Sequence, residues 1–304
     1  MAAAAGGIAA AGRAGGLAMN MRGAALVLVL WMIALLAATI GAFALSARVE
    51  YMQGRVAADL GGGQQIAHAG IDYALSRMRA TPTQPSWHAD GRRYRWQFAE
   101  RSVDLRVVDE TGKVDLNQAD RPLLEGLLRT LAVDPARTTQ VAGAILDWRD
   151  PDDLKQPSGG AESADYAAAG YPYGAKNARF DSIGELQRLL GMDAALYAQL
   201  APLVTVFGSS RPNPRFAAAP VLTALGMDAA LVISQRERED AAGGIGQTPP
   251  LAMAGGSGTY SVDSRVQLGN GRVAVLRSVV RLAPEGARGT AYTVLRWEQG
   301  AVAR

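Results

Sequence analysis

The sequence contains no cysteine and only two histidines, His68 and His88, among its 304 residues. Without cysteine the chain has no disulfide framework, no thiolate nucleophile and no cysteine-based zinc site. Two histidines in different contexts are too few for a multi-histidine metal centre and leave almost no material for a Ser–His–Asp triad. The formal net charge is only +3 and is spread along the chain, so composition does not indicate nucleic-acid binding.

A long apolar run is present at residues 24–45, and it contains no charged side chain. A helix rises about 1.5 Å per residue, so about 20 apolar residues cross the roughly 30 Å hydrocarbon core of a membrane. Arg13 and Arg22 precede the run, which predicts a cytoplasmic N-terminus with the bulk of the chain outside. The low-complexity Ala/Gly segment before it leaves the translation start open between Met1, Met19 and Met21.

The junction between Gly23 and Ala24 has a basic leader, then glycine, then an immediate apolar run. This arrangement resembles the processing site of type IV prepilins and type II secretion pseudopilins, where a prepilin peptidase cuts after the glycine. It predicts a leader over residues 1–23 and a retained membrane helix over 24–45. A plain, uncleaved signal anchor is the alternative.

The remaining chain predicts an α+β fold. An apolar stripe at three- and four-residue spacing extends the helix over 46–80, with a kink or loosened turn expected at the glycine triplet 61–63. Alternating apolar residues predict strands in 92–110 and again in 259–304, so one antiparallel sheet is interrupted and resumed. Residues 111–240 are helical in pattern, and the Gly/Pro-containing stretch 241–258 is a predicted flexible linker.

The hexapeptide GMDAAL occurs twice, at 191–196 and 226–231, each time after a leucine-rich segment. The pattern resembles helix–hairpin–helix DNA-binding modules, which present backbone N–H groups to a phosphate. Here Asp193 and Asp228 replace the second glycine, and a carboxylate at that point repels phosphate. The resemblance therefore concerns the packing unit and not its DNA function, and a membrane-anchored helix–hairpin–helix DNA-binding protein of the competence type is the alternative function.

Acidic residues are densest around DWRDPDD at 147–153, and Glu162 follows. Clustered carboxylates repel one another unless a cation neutralises them, and oxygen ligands without Cys or His favour Ca²⁺. The spacing is not that of an EF-hand loop. A solvated acidic turn is the alternative, and acid–base hydrolysis by two carboxylates is a remote one because nothing nearby indicates a substrate cleft.

Several blocks in order resemble one family, the type II secretion system minor pseudopilin K, also called general secretion pathway protein K. The blocks are VDETGKVDLNQAD (108–120), AILDWRDPDD (144–153), GGAESADY (159–166), NARFDSIGELQRLLGM (177–192) and LAPLVTVFG (200–208). The resemblance implies a pilin-like long N-terminal helix packed on an antiparallel sheet, with a large all-α domain inserted between strands. It implies a structural protein and not an enzyme.

The resemblance also implies a place in the cell and a set of partners. The subunit would cross the bacterial inner membrane once, with its bulk in the periplasm, and form the pseudopilus tip with minor pseudopilins I and J. There it would initiate assembly for the export of folded proteins. Prepilin peptidase, the inner-membrane assembly platform and secreted substrates are the other expected partners, and nucleic acid is not expected.

Two sets of site residues follow from the resemblance. The family's helical domain binds Ca²⁺ through acidic residues, which makes candidate ligands of Asp147, Asp150, Asp152, Asp153 and Glu162. Most pilins have a membrane-embedded Glu at the fifth mature position, where this chain has Leu28. An unpaired carboxylate in the membrane is costly, so Leu28 suits a tip subunit that has no neighbour ahead of it.

Overall fold

The computed structural model describes residues 21–78, 86–242, 256–269, 271–283, 289 and 291–302. The chain divides into two compact units, Met1–Ala58 and Asp59–Arg304, and each is described by itself. The leader before residue 21, the predicted helix end near residue 80 and most of the predicted linker lie outside the described residues.

Helix α1 (Met21–Ser76) begins in the first unit, where it contains the apolar run, and its last turns belong to the second unit. Its most apolar window has a mean hydropathy of 2.6 and is 0% buried, and the helix is long enough to cross a membrane. The large side chains of this part, Trp31 and Phe43 among them, are exposed. An apolar surface of this extent has no partner in water, which is consistent with a membrane anchor.

In its described residues, the second unit contains seven strands and six further helices. The strands are β1 (Asp90–Phe98), β2 (Arg101–Asp109), β3 (Val114–Asp115), β4 (Val204–Thr205), β5 (Thr259–Gln267), β6 (Val273–Leu282) and β7 (Tyr292–Val302). The helices are α2 (Arg121–Thr130), α3 (Pro135–Arg149), α4 (Ser163–Ala168), α5 (Ala194–Leu200), α6 (Ala219–Ala224) and α7 (Ala229–Ala242). Short 3₁₀ turns occupy Glu110–Gly112, Ile183–Arg188 and Ala201–Leu203.

The sheet has the strand order β1-β2-β5-β6-β7, and all four pairings are antiparallel. Alternate residues of β2 (Val103, Leu105 and Val107) are buried because they face α1, while those between them face away. Strands β2 and β5 are hydrogen-bonded neighbours, yet the whole helical part lies between them in sequence. The predicted fold class, a pilin-like α+β sheet with a helical insert, is confirmed.

The prediction of a loosened turn at 61–63 is wrong, because α1 continues unbroken through it. Two glycines instead allow the helix to lie close to the sheet. A Cβ at Gly63 would lie 2.5 Å from Leu268 Cδ2, and one at Gly70 would lie 2.6 Å from Ser264 Oγ. Each glycine costs about 1 kcal/mol of helix stability relative to alanine, and the close packing that it permits offsets this cost.

The inserted helices pack around their own apolar core, which includes Leu127, Ile145 and Trp148. Helix α3 begins at an N-cap: Asp134 Oδ1 accepts the N–H groups of Ala136 and Arg137 at 2.9 and 3.2 Å. The two-residue parallel pair β3–β4 is not predicted from sequence, because two residues show no periodicity.

Both GMDAAL copies adopt the same turn. Gly191 and Gly226 have positive φ, at +86° and +76°, which glycine adopts without strain. The following aspartates then cap the next helix: Asp193 Oδ1 accepts the Leu196 N–H at 2.8 Å. Asp228 Oδ1 accepts the Leu231 N–H at 3.0 Å. The repeat is therefore a helix–turn–helix unit whose N–H groups are satisfied by its own carboxylates.

Candidate functional site

The acidic cluster lies where α3 ends and a loop leads to α4. Asp147 lies in the last turn of α3, Asp150 is its C-cap, and Glu162 is the residue before α4. Asp152 and Asp153 lie in the loop between. The structure thus brings the ends of two helices together at this point, as the predicted ligand set requires.

Asp147 organises the loop. Its Oδ1 accepts the Gln156 N–H at 3.1 Å and its Oδ2 accepts the Ala161 N–H at 2.7 Å. Gly160, with φ at +106°, is required here because a Cβ would collide with Asp147 Oδ2. The side chain is buried, and burial raises the pKa of its carboxyl, while the two N–H donors lower it.

The two loop aspartates have local partners. Asp152 Oδ1 accepts the Leu154 N–H at 2.8 Å, which closes a turn. Asp153 Oδ1 accepts the Asn177 side-chain amide at 2.7 Å. Both carboxylates are exposed to solvent. By themselves they are what a solvated acidic turn would contain.

Glu162 and Asp150 are different, because they hold buried oxygens that lack a hydrogen-bond partner. Both carboxylate oxygens of Glu162 are buried and unpartnered, as is Asp150 Oδ1. Asn177 Oδ1 is a further buried and unpartnered oxygen next to Asp153. Buried polar groups in proteins are nearly always satisfied, so several unsatisfied oxygens in one place indicate a missing partner that attracts oxygen.

The electrostatics agree with this interpretation. Burial, followed by the negative charges of four aspartates, raises the pKa of Glu162 to about 7. The four aspartates are Asp147, Asp150, Asp153 and Asp152, in decreasing order of effect. Burial and the charges of Asp152 and Asp147 likewise raise the pKa of Asp150. A bound cation would offset both the desolvation cost of these carboxylates and their mutual repulsion.

Nearby cations are committed elsewhere. Lys155 Nζ pairs with Asp165 Oδ1 at 2.7 Å, and Arg121 donates to Ser158 O and Gln156 Oε1. Within the residues that the structure describes, no three carboxylate or histidine side chains are already arranged as a metal-holding group. An ion would therefore need small rotations of the side chains. Sequence reasoning missed Asn177, whose only signal is its oxygen-bearing side chain in the NARFD block.

A second buried polar cluster joins the helical insert to the sheet, and sequence reasoning missed it as well. Glu110 is 1% exposed, and Lys113 Nζ donates to its Oε1 at 2.7 Å. The hydroxyls of Thr205 and Ser261 also donate to the Glu110 carboxylate. Lys113 Nζ reaches Ser261 Oγ at 2.7 Å. The cluster connects the point where the chain leaves the sheet with β4 of the insert and with the returning strand β5.

The remaining predicted site residues lie on α1. Gly23 and Ala24 fall in its first turns, and both are exposed. Leu28 follows one turn later and is exposed in the apolar part of the helix. The structure places these residues on one accessible helix, and processing and tip position stay predictions.

Three comparisons with known proteins agree with one another. The sequence profile of the family described as "Type II secretion system (T2SS), protein K" matches residues 103–209. Type II secretion system protein K of Klebsiella pneumoniae is 29% identical over 206 residues, which cover 61% of this chain and 62% of that protein. The protein K of Aeromonas hydrophila is 34% identical over 116 residues, which cover 38% of this chain and 35% of that protein. The matches therefore span less than two thirds of these relatives.

A solved structure shares the fold. It is the crystal structure of the GspK-GspI-GspJ complex from the enterotoxigenic Escherichia coli Type 2 Secretion System. One chain of it superimposes with a TM-score of 0.57 at 18% identity, covering 82% of this chain and 99% of that chain. At this identity the likeness concerns the fold.

Proposed function

We propose that the chain belongs to the type II secretion system protein K family and is a minor pseudopilin that forms the tip of the periplasmic pseudopilus and initiates its assembly. The observation that carries this proposal is the helical domain inserted between the neighbouring strands β2 and β5, on a sheet covered by the end of α1. The fold provides a scaffold and an anchor. Its role is structural and not enzymatic.

In this proposal α1 anchors the protein in the inner membrane, with the N-terminus cytoplasmic and the second unit in the periplasm. Prepilin peptidase cuts between Gly23 and Ala24 on the cytoplasmic side. Leu28 replaces the membrane-embedded carboxylate of other pilins, so the helix can enter first at the assembly platform. Mass spectrometry of the protein from cells with active prepilin peptidase should give an N-terminus at Ala24. An intact junction in those cells would contradict the assignment.

The partners in this proposal are minor pseudopilins I and J of the same system. The support is the fold shared with one chain of the GspK-GspI-GspJ complex, together with the match of residues 103–209 to the protein K family. Co-expression with the system's own I and J subunits should give a ternary complex that survives gel filtration. A chain that elutes alone beside an intact I–J pair would refute this part of the proposal. Exported proteins are expected to meet the tip after assembly.

The cofactor in this proposal is Ca²⁺ at the acidic cluster. Glu162 and Asp150 would hold it, since their oxygens lack other partners, and Asp147, Asp152 and Asp153 would supply charge and further oxygens. The ion would neutralise the cluster and tie the end of α3 to the start of α4. Isothermal titration of metal-free protein with Ca²⁺ should show saturable binding that Glu162→Ala abolishes. Unchanged Ca²⁺ binding by that variant would show that the ion binds at another site.

The alternative function, a competence-type DNA receptor, has no support from the comparisons. The two repeats also place a carboxylate at each helix N-terminus, where Asp193 and Asp228 each accept one N–H and would repel a phosphate. A duplex oligonucleotide should not be retained by the protein at moderate salt. If the protein did retain the duplex, and if replacing both aspartates with glycine strengthened that binding, the DNA-receptor function would be favoured.

A further inference from the structure

The face of the five-stranded sheet opposite α1 is rich in arginine. Because Val103, Leu105 and Val107 point toward α1, the residues that alternate with them and with their strand partners point outward. The outward residues include Arg93, Arg95, Arg106, Arg265, Arg277, Arg281 and Arg296, together with the acidic Asp104, Asp263 and Glu298. This set, here named the arginine face, contains seven arginines and three carboxylates.

Like charges meet at the β1–β2 side of this face. Arg93 is directly opposite Arg106 in the β1–β2 register, at a position where like charges destabilise a sheet. Arg106 is further crowded by Arg265 on the other neighbouring strand. Burial, then the charges of Arg93 and Arg265, lower the pKa of Arg106, and this outweighs the opposite effect of Asp263 and Asp104. The sheet therefore keeps a repulsive arrangement that an opposite charge would relieve.

The acidic side chains of the face supply only part of that charge, because Asp263 lies opposite Arg106 in the β2–β5 register but forms its closer ion pair with another arginine. Asp104 pairs with Arg95 at 3.5 Å, and Asp263 pairs with Arg277 at 3.1 Å. Glu298 pairs with Arg296 on the same strand. Across the described parts of the chain, Arg93 and Arg106 form no ion pair within 4.0 Å. Two guanidinium groups thus remain available to a partner.

The composition of the face indicates what kind of partner fits. All of its cations are arginine, whose planar guanidinium forms bidentate hydrogen bonds with carboxylates, and arginine is enriched in protein interfaces where lysine is depleted. Val108 and Val279 lie between the charges and offer apolar contact. The interspersed carboxylates would repel the continuous phosphates of nucleic acid, whereas a protein surface can place its own cations against them.

We infer that the arginine face docks an acidic surface of another protein, with carboxylates of that partner placed against Arg93 and Arg106. The inference stands on the register and ion pairs of the sheet and does not depend on the proposed pseudopilin function. The face needs no change of backbone to bind, because the five strands already fix the spacing of the guanidinium groups. Binding would replace the Arg93–Arg106 repulsion with two ion pairs.

The test uses the full chain in a neutral detergent and a fluorescent glutamate-rich peptide as the probe. Anisotropy at low salt should show saturable binding. Arg93→Gln/Arg106→Gln should weaken it by about tenfold or more, since one exposed ion pair is worth up to about fivefold. Arg93→Lys/Arg106→Lys, which keeps charge but loses bidentate geometry, should bind with intermediate affinity. Arg129→Gln/Arg238→Gln is the matched control, because it removes two exposed arginines of the helical insert.

Three results would overturn the inference: no saturable binding of the peptide, an equal loss in the control variant, or a duplex oligonucleotide of equal charge binding as tightly at the same salt. Misfolding is checked separately. Because the Arg93→Gln/Arg106→Gln variant loses a repulsive pair, its melting temperature should equal or exceed that of the wild type. A variant that is as stable as wild type and still binds the peptide with unchanged affinity refutes the role of these two arginines.

Discussion

Replacing Glu162 with glutamine should stabilise the metal-free protein and destabilise the calcium-bound one. Glu162 is only 5% exposed, and its pKa is raised to about 7 from an ordinary 4.5. The unfolded chain therefore releases this proton at lower pH than the folded chain does. As pH rises from about 4.5 through about 7, the folded state loses stability, and the loss persists above pH 7.

The size of the effect follows from the pKa difference. One pKa unit corresponds to about 1.4 kcal/mol, so the shift of Glu162 represents about 3 kcal/mol above pH 7. Glutamine has the same shape without the charge and should recover most of this in the absence of metal. For a unit of this size, about 1 kcal/mol moves the melting temperature by about 2–4 °C. The metal-free variant should therefore melt about 5–10 °C above the wild type at pH 8.

The assay is thermal unfolding of the full chain in detergent, in chelator and in saturating Ca²⁺. With saturating Ca²⁺ the wild type should melt at a higher temperature than the variant, because the wild-type carboxylate binds the ion and glutamine binds it weakly. Glu237→Gln, an exposed change on α7, is the control and should be neutral in both conditions. A Glu162→Gln variant that is less stable than wild type in chelator, or an order that Ca²⁺ leaves unchanged, would refute the reasoning.

Three further substitutions test the packing of the second unit. Glu110→Ala should lower the free energy of unfolding by about 3–5 kcal/mol in denaturant titration, because it leaves Lys113 buried and unpaired. Glu110→Leu/Lys113→Met, which removes both charges, should lower it much less. Equal losses in the two variants would contradict a buried ion pair. Gly70→Ala should lower the free energy of unfolding by about 1–3 kcal/mol, since the new Cβ would meet Ser264. Gly62→Ala, with open space around it, should raise the free energy of unfolding by about 1 kcal/mol. Equal effects of the two substitutions would contradict the close approach of helix and sheet. Asp228→Ala should lower the free energy of unfolding by about 1 kcal/mol through loss of an N-cap, whereas Asp228→Asn should change it little. Identical losses in the two variants would mean that the cap is not the cause.

The parts that could be predicted from sequence are those with a local signal. The apolar run, the strand alternation of β2 and the Asp134 cap are readable because each depends on a few adjacent residues. The family resemblance then supplied the connection between distant strands. The position of the glycine-permitted contact between α1 and β5 was not predictable, because only the partner strand shows why a glycine is needed at residue 70.

The grouping of the acidic residues could be predicted from sequence, whereas the environment of each carboxylate could not. The sequence spacing brings the five acidic residues into one loop region. Burial, however, distinguishes them: the Asp147 oxygens are satisfied by backbone N–H groups, whereas the Glu162 oxygens are not. Asn177 joins the cluster from a distant segment. The Glu110 cluster escaped prediction for the same reason, as its members come from strands and turns far apart in sequence.

The insertion of the helical domain between paired strands sets an order of folding. Glu110 and Ser261 meet across the junction although 151 positions separate them in the chain. Closing a loop of that length in a disordered chain is slow and entropically unfavourable, so a helical domain that folds first and brings its own ends together removes most of the barrier. Until then β2 has no neighbour on one side, and its exposed edge is open to pairing with the wrong strand. The sheet therefore depends on the insert, because β2 and β5 become neighbours only when the insert brings its two ends together.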